Sequence, residues 1–489
     1  MIDSQLRDSG VMNLSARALV TMVGQPDAAA GGPAYRQWAT AIVAAILDGR
    51  LPDGTRLPSE RSFAGAAGLS RTTTTRVYAS LRDRGLVTSR HGSGTTVRVP
   101  VSGRAAASLL AVPEQPGVIA LTSAAMTAPP ELAHLVQRAL DGLPSLLATN
   151  GYLPDGLPLL RERLAQRYSE QGLPTDPEQI IVTNGAQGAL ALLTRTLLRP
   201  GDRVLTEACS YPHAFDTLGH AGARFLPLPF GGTPWPLEDF QRLAPAARAA
   251  YLIPDFHNPT GAVMDEEHRA AIGVALRRHE VITVVDETMR DIRIDQDTPL
   301  PHLATWHRDS LTLGSASKSL WGGLRIGWLR APRALVPRLV QARMHHDLGS
   351  SSFDQLIVAE AVAEGLLDRP PHRATIRTRR DALIDAVQRE LPGWKVNRPA
   401  GGLSVWIELP RRAASALVIA AEDEGVRLTP GPRFFGAQPS AGEGWLRVPF
   451  VHDSEVLDDA VARLARAWRS LGPEAENAVR DPDAIDLIA

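Results

Sequence analysis

Five apolar runs of strand length recur within residues 118–472 of this chain, with helical segments between them: Ile180-Ile-Val-Thr, Arg203-Val-Leu-Thr, Ala249-Ala-Tyr-Leu-Ile, Val281-Ile-Thr-Val-Val and Leu311-Thr-Leu-Gly. Near-continuous apolar strands alternating with helices fit a sheet covered on both faces, so the spacing predicts an α/β architecture with a mostly parallel, doubly wound sheet. Sheets of that kind bind ligands beyond the carboxyl ends of their strands. The polar residues fall where that rule wants them. Asn184-Gly-Ala-Gln187 follows the first run, Tyr211 lies shortly after the second, Asn258 follows the third, Asp286 ends the fourth, and Ser315 to Lys318 ends the fifth. Packing alone does not readily produce such an ordering.

The last of these stretches narrows the chemistry. The chain has 52 basic residues and only two are lysines, Lys318 and Lys395. Arginine cannot form a Schiff base, because its guanidinium stays protonated and delocalised. A lysine kept at the end of a predicted strand in an arginine-rich chain therefore points to a need for an amine. The chemistry that needs one is imine formation with an aldehyde, most often pyridoxal 5'-phosphate (PLP). Ser315, Ser317 and Arg325 would then hold the phosphate through two hydroxyls and a forked cation. The competing reading is a surface lysine in a serine-rich turn, which the trailing Gly-Leu-Arg-Ile-Gly-Trp328 disfavours.

Each remaining position has a task with that cofactor. Gly185, Ala186 and Gln187 open a helix, whose backbone N–H groups and dipole favour a phosphate. Tyr211 offers a flat face to stack on the pyridine ring. Asn258, in His257-Asn-Pro-Thr-Gly261, can donate to the ring's phenolate oxygen. Asp286 can keep the pyridine nitrogen protonated, making the ring an electron sink. Taken singly, each has a plain structural alternative: an N-cap, a core tyrosine, a turn.

Residues 33–100 differ in character, with ten arginines against Asp48, Asp53, Glu60 and Asp83, a net charge of +6. Tyr35, Trp38, Ile42 and Ile46 recur at helical spacing up to Gly49. Ser59 is placed to cap a second helix, and Gly68-Leu-Ser70 is a turn with another cap. A third helix over about 71–84 buries Val77, Tyr78 and Leu81 and displays Arg71, Thr72, Thr73 and Arg76. Gly85 to Val97 reads as two short strands around a glycine turn. Three helices and a hairpin make a winged helix-turn-helix whose third helix enters the major groove. Arg56, Arg61, Arg71 and Arg76 would meet phosphates or guanine edges, and His91-Gly92 at the wing would reach the minor groove or its sugars.

This segment resembles the GntR family of bacterial regulators through Leu51-Pro-x-Gly-x-Arg-Leu-Pro-Ser-Glu-Arg61, Gly68-Leu-Ser-Arg-Thr-Thr-Thr74 and His91-Gly-Ser-Gly-Thr95. The resemblance implies DNA contacts at Arg61, Ser70, Arg71, Thr72, Thr73, Arg76, His91 and Gly92. Residues 118–472 resemble the fold-type-I aminotransferases, through Asn258-Pro-Thr-Gly261, Asp286-Glu287 and Ser315-x-Ser-Lys318 with Gly323-Leu-Arg-Ile-Gly-Trp328. That implies a large sheet domain with a small C-terminal α+β subdomain. It also implies that Tyr152 reaches the phosphate of a neighbouring subunit in a homodimer, and that Arg447 grips a substrate α-carboxylate. One departure stands out. The family usually places a tyrosine two or three residues after the pyridine-binding Asp, whereas here Thr288 and Met289 stand there.

A GntR winged helix fused to an aminotransferase-like domain is the layout of MocR-type regulators. The expected organisation is an arm (1–32), the winged helix (33–100), a linker (101–117), the PLP domain (118–472) and an acidic tail (473–489). The expected function is a DNA-binding transcriptional regulator that senses an amino compound or PLP through an aldimine at Lys318. The alternatives are a working aminotransferase with an accessory DNA-binding domain, and a DNA-binding protein whose large domain is only a dimerisation scaffold. A net charge of −1 argues against whole-molecule nucleic-acid wrapping, and the single Cys209 excludes an intramolecular disulfide and fits a reducing cytosol. The start of the chain has no signal-peptide pattern, and no run of about 18 apolar residues occurs, so a cytoplasmic protein without a membrane span is expected.

Overall fold

The computed structural model describes residues 13–26, 33–47, 50–52, 54–90, 94–98, 117–230, 232, 234–295, 298–369 and 372–472. The start of the arm, most of the linker, His91, Gly92 and the acidic tail lie outside these residues.

The first helix among the described residues is α1 (Ala16–Val23), which starts at Ala16 because the Ser15 hydroxyl accepts the Ala18 N–H at 3.2 Å. Next come α2 (Ala34–Leu47), α3 (Glu60–Ala67) and α4 (Arg71–Asp83), then strands β1 (Val87–Arg90) and β2 (Gly94–Val97). Both predicted caps form: Ser59 accepts from Ser62 N and Ser70 from Thr73 N, each at 3.1 Å. Gly68 closes α3 in the left-handed region (φ 66°), which bends the chain sharply into α4. Trp38, Ile42, Ile46, Phe63, Val77, Tyr78 and Leu81 are buried in one core. Phe63 packs edge-on against Trp38 at 5.2 Å, and the buried Tyr78 hydroxyl donates to Pro58 O at 2.7 Å. The wing is an antiparallel pair in the register Val87↔Val97 to Arg90↔Gly94.

Strand β3 (Ile119–Leu121) precedes the large sheet, which comprises β4 (Ile180–Thr183), β5 (Arg203–Glu207), β6 (Arg224–Leu228), β7 (Ala249–Leu252), β8 (Ile282–Asp286), β9 (Leu311–Ser315) and β10 (Gly327–Arg330). Helices α5 (Gly185–Leu197), α6 (Pro212–His220) and α7 (Glu266–Arg278) connect strands of this sheet. The strand order is β4-β10-β9-β8-β7-β5-β6; β10 alone runs antiparallel to its neighbours. All five predicted strands are present. Alternate side chains of one strand enter different cores, Ile180 and Val182 one and Ile181 the other, so the sheet is covered on both faces as the apolar runs demand. The sequence did not single out β6 or β10. The first is a half-buried edge strand containing Pro227, and the second lies inside a segment read as a phosphate-binding motif.

Later in the chain, among the described residues, come β11 (Lys395–Val396), β12 (Ser404–Glu408), α8 (Ala414–Asp423), β13 (Val426–Pro430), β14 (Trp445–Pro449) and α9 (Ser454–Ser470). A second sheet has the order β11-β12-β14-β13-β3, with β3 parallel to β13. This is the expected small α+β subdomain. The described residues form two compact units: one takes the chain up to 123 with 382–397 and the segment from 406 on, the other 124–381 with 398–405. Within the first unit, α8 packs against α2, and Ile419 lies on the winged-helix core.

Candidate functional site

The carboxyl ends of the large sheet's strands form one edge, and β10 begins there because it runs the other way. Gly327 at its start pairs with Thr183 on one side and Ser315 on the other, so the ends of β4 and β9 stand in a row. This register gathers the expected phosphate groups. Asn184 caps α5, Gly185 takes φ 73°, and Arg325, itself in the left-handed region at φ 53°, donates through Nη2 to Asn184 O at 3.3 Å. A Cβ at Gly185 would lie 3.0 Å from that guanidinium, and one at Gly327 would lie 2.5 Å from Ala186 N. Both glycines therefore let backbone and cation close around the start of α5, a helix N-terminus of the kind that holds anions. Ser315 is nearly buried, and its hydroxyl accepts from Ser317 N at 3.1 Å. The Gln187 side chain turns to Thr217 Oγ1 (2.5 Å) and His213 O (3.2 Å), leaving its backbone N–H as its contribution to an anion site.

Lys318 is half-buried beyond β9, and its Nζ donates to Ala124 O at 2.7 Å. Asp286 ends the neighbouring strand β8, 5% exposed. Its Oδ1 accepts from Thr288 N at 2.9 Å and its Oδ2 from the Tyr251 hydroxyl at 2.5 Å. Behind it, Glu287 is bound to His302 at 2.8 Å; burial opposes the charge, but His302 and Arg290 hold the carboxyl below its usual range. The loop carrying Asn258 is fixed by fully buried Arg269, which binds Met264 O and Asp255 at 2.7 Å each. Burial works against Asp255, yet Arg269 and Arg290 pull it down to about 2. On that loop, Asn258 Oδ1 is buried without a hydrogen-bond partner, a polar group suited to meet a ligand. Tyr211 caps α6, with its ring edge-on to His213 at 5.3 Å.

Two site neighbours escaped the sequence reading. Tyr251 is one; a hydroxyl in a fully buried strand must find a partner, and that was the available signal. The other is Glu207, whose Oε1 accepts from Ile253 N at 3.0 Å and whose Oε2 lies 4.0 Å from His257 Nε2. Burial pushes Glu207 up to about 7 and His257 down to about 3. Cys209 is buried, with its thiol pushed up by burial.

Tyr152 is 62% exposed. Arg447 lies on β14 in the first unit, where its Nη2 donates to Thr122 O at 2.5 Å and its guanidinium stacks 5.0 Å from the Phe434 ring centre. In the winged helix, Arg61, Arg71, Thr72 and Arg76 are exposed, and Arg76 stacks 4.3 Å over the Tyr35 ring. The Ser70 and Thr73 hydroxyls pair with each other at 2.8 Å, so both serve the cap of α4. Arg56 is half-buried, with its side chain packed over Gly94 of the wing.

The described residues thus define an aminotransferase fold carrying a winged helix. The signature of aminotransferase class I and II matches residues 125–464, and that of the bacterial regulatory gntR family matches residues 34–97. The chain belongs to the class I and II aminotransferase family and has the two-part layout of MocR-type regulators. It is 29% identical over 415 residues to the uncharacterized HTH-type transcriptional regulator YisV of Bacillus subtilis, covering 78% of this chain and 85% of that protein. It is 28% identical over 450 residues to the probable rhizopine catabolism regulatory protein MocR of Rhizobium meliloti, covering 84% and 89%. Among solved structures, it resembles the alpha-aminoadipate aminotransferase LysN of Thermus thermophilus, complexed with N-(5'-phosphopyridoxyl)-L-leucine. That likeness has a TM-score of 0.65 and 30% identity, over 73% of this chain and 93% of the other. The cofactor of the fold is PLP, and the glycine-lined helix start, the Asn258 amide and the strand-end Asp286 fit it.

Proposed function

We propose that the chain is a PLP-dependent, DNA-binding transcriptional regulator. Lys318 Nζ would supply the amine for the aldehyde of PLP, an amino compound would compete with that amine for the same aldehyde, and either event would bias DNA binding by the winged helix. The observation that supports the reading is the coexistence of a gntR-type winged helix over residues 34–97 with a glycine-lined helix start beside Arg325 at the carboxyl ends of the large sheet. Arg325, Ser315, Ser317 and the backbone of Gly185, Ala186 and Gln187 would hold the phosphate. Tyr211 would face the ring, Asn258 its phenolic oxygen and Asp286 its nitrogen. When bound, PLP supplies an aldehyde that reacts with amines and a ring that accepts electrons. Arg447 is assigned to the effector's carboxylate, and exposed Tyr152 to the phosphate of the partner subunit in a homodimer. Arg56, Arg61, Ser70, Arg71, Thr72, Thr73, Arg76, His91 and Gly92 are assigned to DNA. We place the working boundaries at 33–100 for the DNA reader and 118–472 for the PLP domain.

A specific observation favours a second reading, an active aminotransferase: Lys318, Asp286 and Arg447 are all retained. Incubating the PLP-loaded protein with single amino acids and 2-oxoglutarate separates the two. Turnover above about 0.1 s⁻¹ supports the enzyme, since ordinary enzymes run at about 1–10³ s⁻¹. The regulator reading predicts amine-dependent spectral change and altered DNA affinity without such turnover.

A further inference from the structure

Asp286 has a partner on the next strand that its assigned task does not by itself require. Tyr251 stands on β7 with its ring in the core between sheet and helices, 1% exposed. Its hydroxyl reaches across to Asp286 Oδ2 at 2.5 Å. Burial, and then Asp286 itself, hold the phenol well above its ordinary range, so it remains a neutral donor. With Thr288 N–H on Oδ1, the carboxylate has one donor on each oxygen. The tyrosine expected two or three residues after Asp286 is replaced by Thr288, which gives a backbone N–H, and by buried Met289, which has no donor to give. A phenol is therefore present, but it arrives from a different strand and addresses the carboxylate.

Hydrogen-bond donors draw negative charge away from the oxygens that accept them, and the effect is strong where water is excluded. We propose that Tyr251 is a positioning residue for the cofactor, which fixes the orientation of Asp286 and sets how much negative charge the carboxylate presents to the pyridine nitrogen. The inference rests on the assignment of Asp286 to that nitrogen. Removing the phenol concentrates charge on Asp286. A more negative partner stabilises the protonated, visibly absorbing form of the bound cofactor, which then persists to higher pH.

The test is a pH titration of the visible band of full-length protein loaded with PLP, in wild type, Tyr251→Phe, Asp286→Asn and the double variant. Phenylalanine keeps the ring's packing and removes only the donor. The expected result is a titration midpoint raised by roughly half a pH unit in Tyr251→Phe, with no further change when the same substitution is made in Asp286→Asn. Fluorotyrosine at position 251, a stronger donor, moves the midpoint down and covers the case in which Tyr251→Phe does not fold. An unchanged midpoint in Tyr251→Phe or with fluorotyrosine, or an equal shift in the Asp286→Asn background, overturns the inference and leaves Tyr251 a packing residue. A wild-type protein that gains no visible band with PLP overturns the cofactor assignment itself, which is a different failure.

Discussion

At the scale of single residues, Lys318 stands just beyond the carboxyl end of β9, and its Nζ donates to Ala124 O. Lys318→Ala is expected to abolish the visible band formed with PLP while changing folding stability by less than about 1 kcal/mol, as for a half-exposed side chain outside the core; absorbance and urea denaturation check the two parts. Glu207 gives a pH prediction. Its folded value of about 7 lies above its ordinary 4.5, so the folded state binds more protons than the unfolded state between those values. Stability from this group is therefore lost as pH rises through that window, by on the order of 3 kcal/mol. Glu207→Gln keeps an acceptor for Ile253 N–H and removes the titration. Relative to wild type it should gain about that amount between pH 5 and pH 8 in urea denaturation; a difference that does not change with pH contradicts this. Lys318, Asp286, Asn258 and Tyr211 were legible in the sequence because each follows an apolar run and so sits at a strand end. Tyr251 and Glu207 were not, because their partners come from other strands and only the register brings them together.

At the scale of elements, the start of α5 depends on two glycines with different tasks. Gly327→Ala places a Cβ 2.5 Å from Ala186 N, against backbone that cannot swing aside, so the helix start must move. Its PLP affinity is expected to fall more than about tenfold, the cost of weakening one or more charge-assisted phosphate contacts. Gly322→Ala, with nothing within 4 Å, should bind as wild type. Helix α4 of the winged helix makes a parallel case. Arg71→Ala should weaken binding to the preferred DNA by about 10–100-fold and relax its sequence preference if Arg71 reads a base. Arg61→Ala should weaken all sequences alike and lower the salt slope by about 0.9 if it meets a phosphate. Fluorescence anisotropy at several salt concentrations distinguishes them. The caps at Ser59 and Ser70 could be read in advance, because a hydroxyl before an apolar-periodic stretch has a local task. Strands β6 and β10 could not, since their order in the sheet is a long-range property.

At the scale of the whole molecule, charge is divided by function: a near-neutral chain carries its +6 segment in the winged helix. No helix among the described residues is long and apolar enough to cross a membrane. The first unit joins that winged helix to the small α+β subdomain through α2 and α8, a packing the linear order of domains did not foretell. A ligand shifts DNA affinity only by its difference in affinity for the two conformers, about 1–3 kcal/mol in typical coupled systems, or about 5–150-fold. The most direct measurement is the affinity of the full-length protein for the DNA it selects from a randomised pool, taken with and without PLP and with candidate amines, beside Lys318→Ala. The account predicts a change of at least about fivefold in wild type and none in the variant. Equal affinities in wild type under all conditions, or the same change in Lys318→Ala, would contradict it.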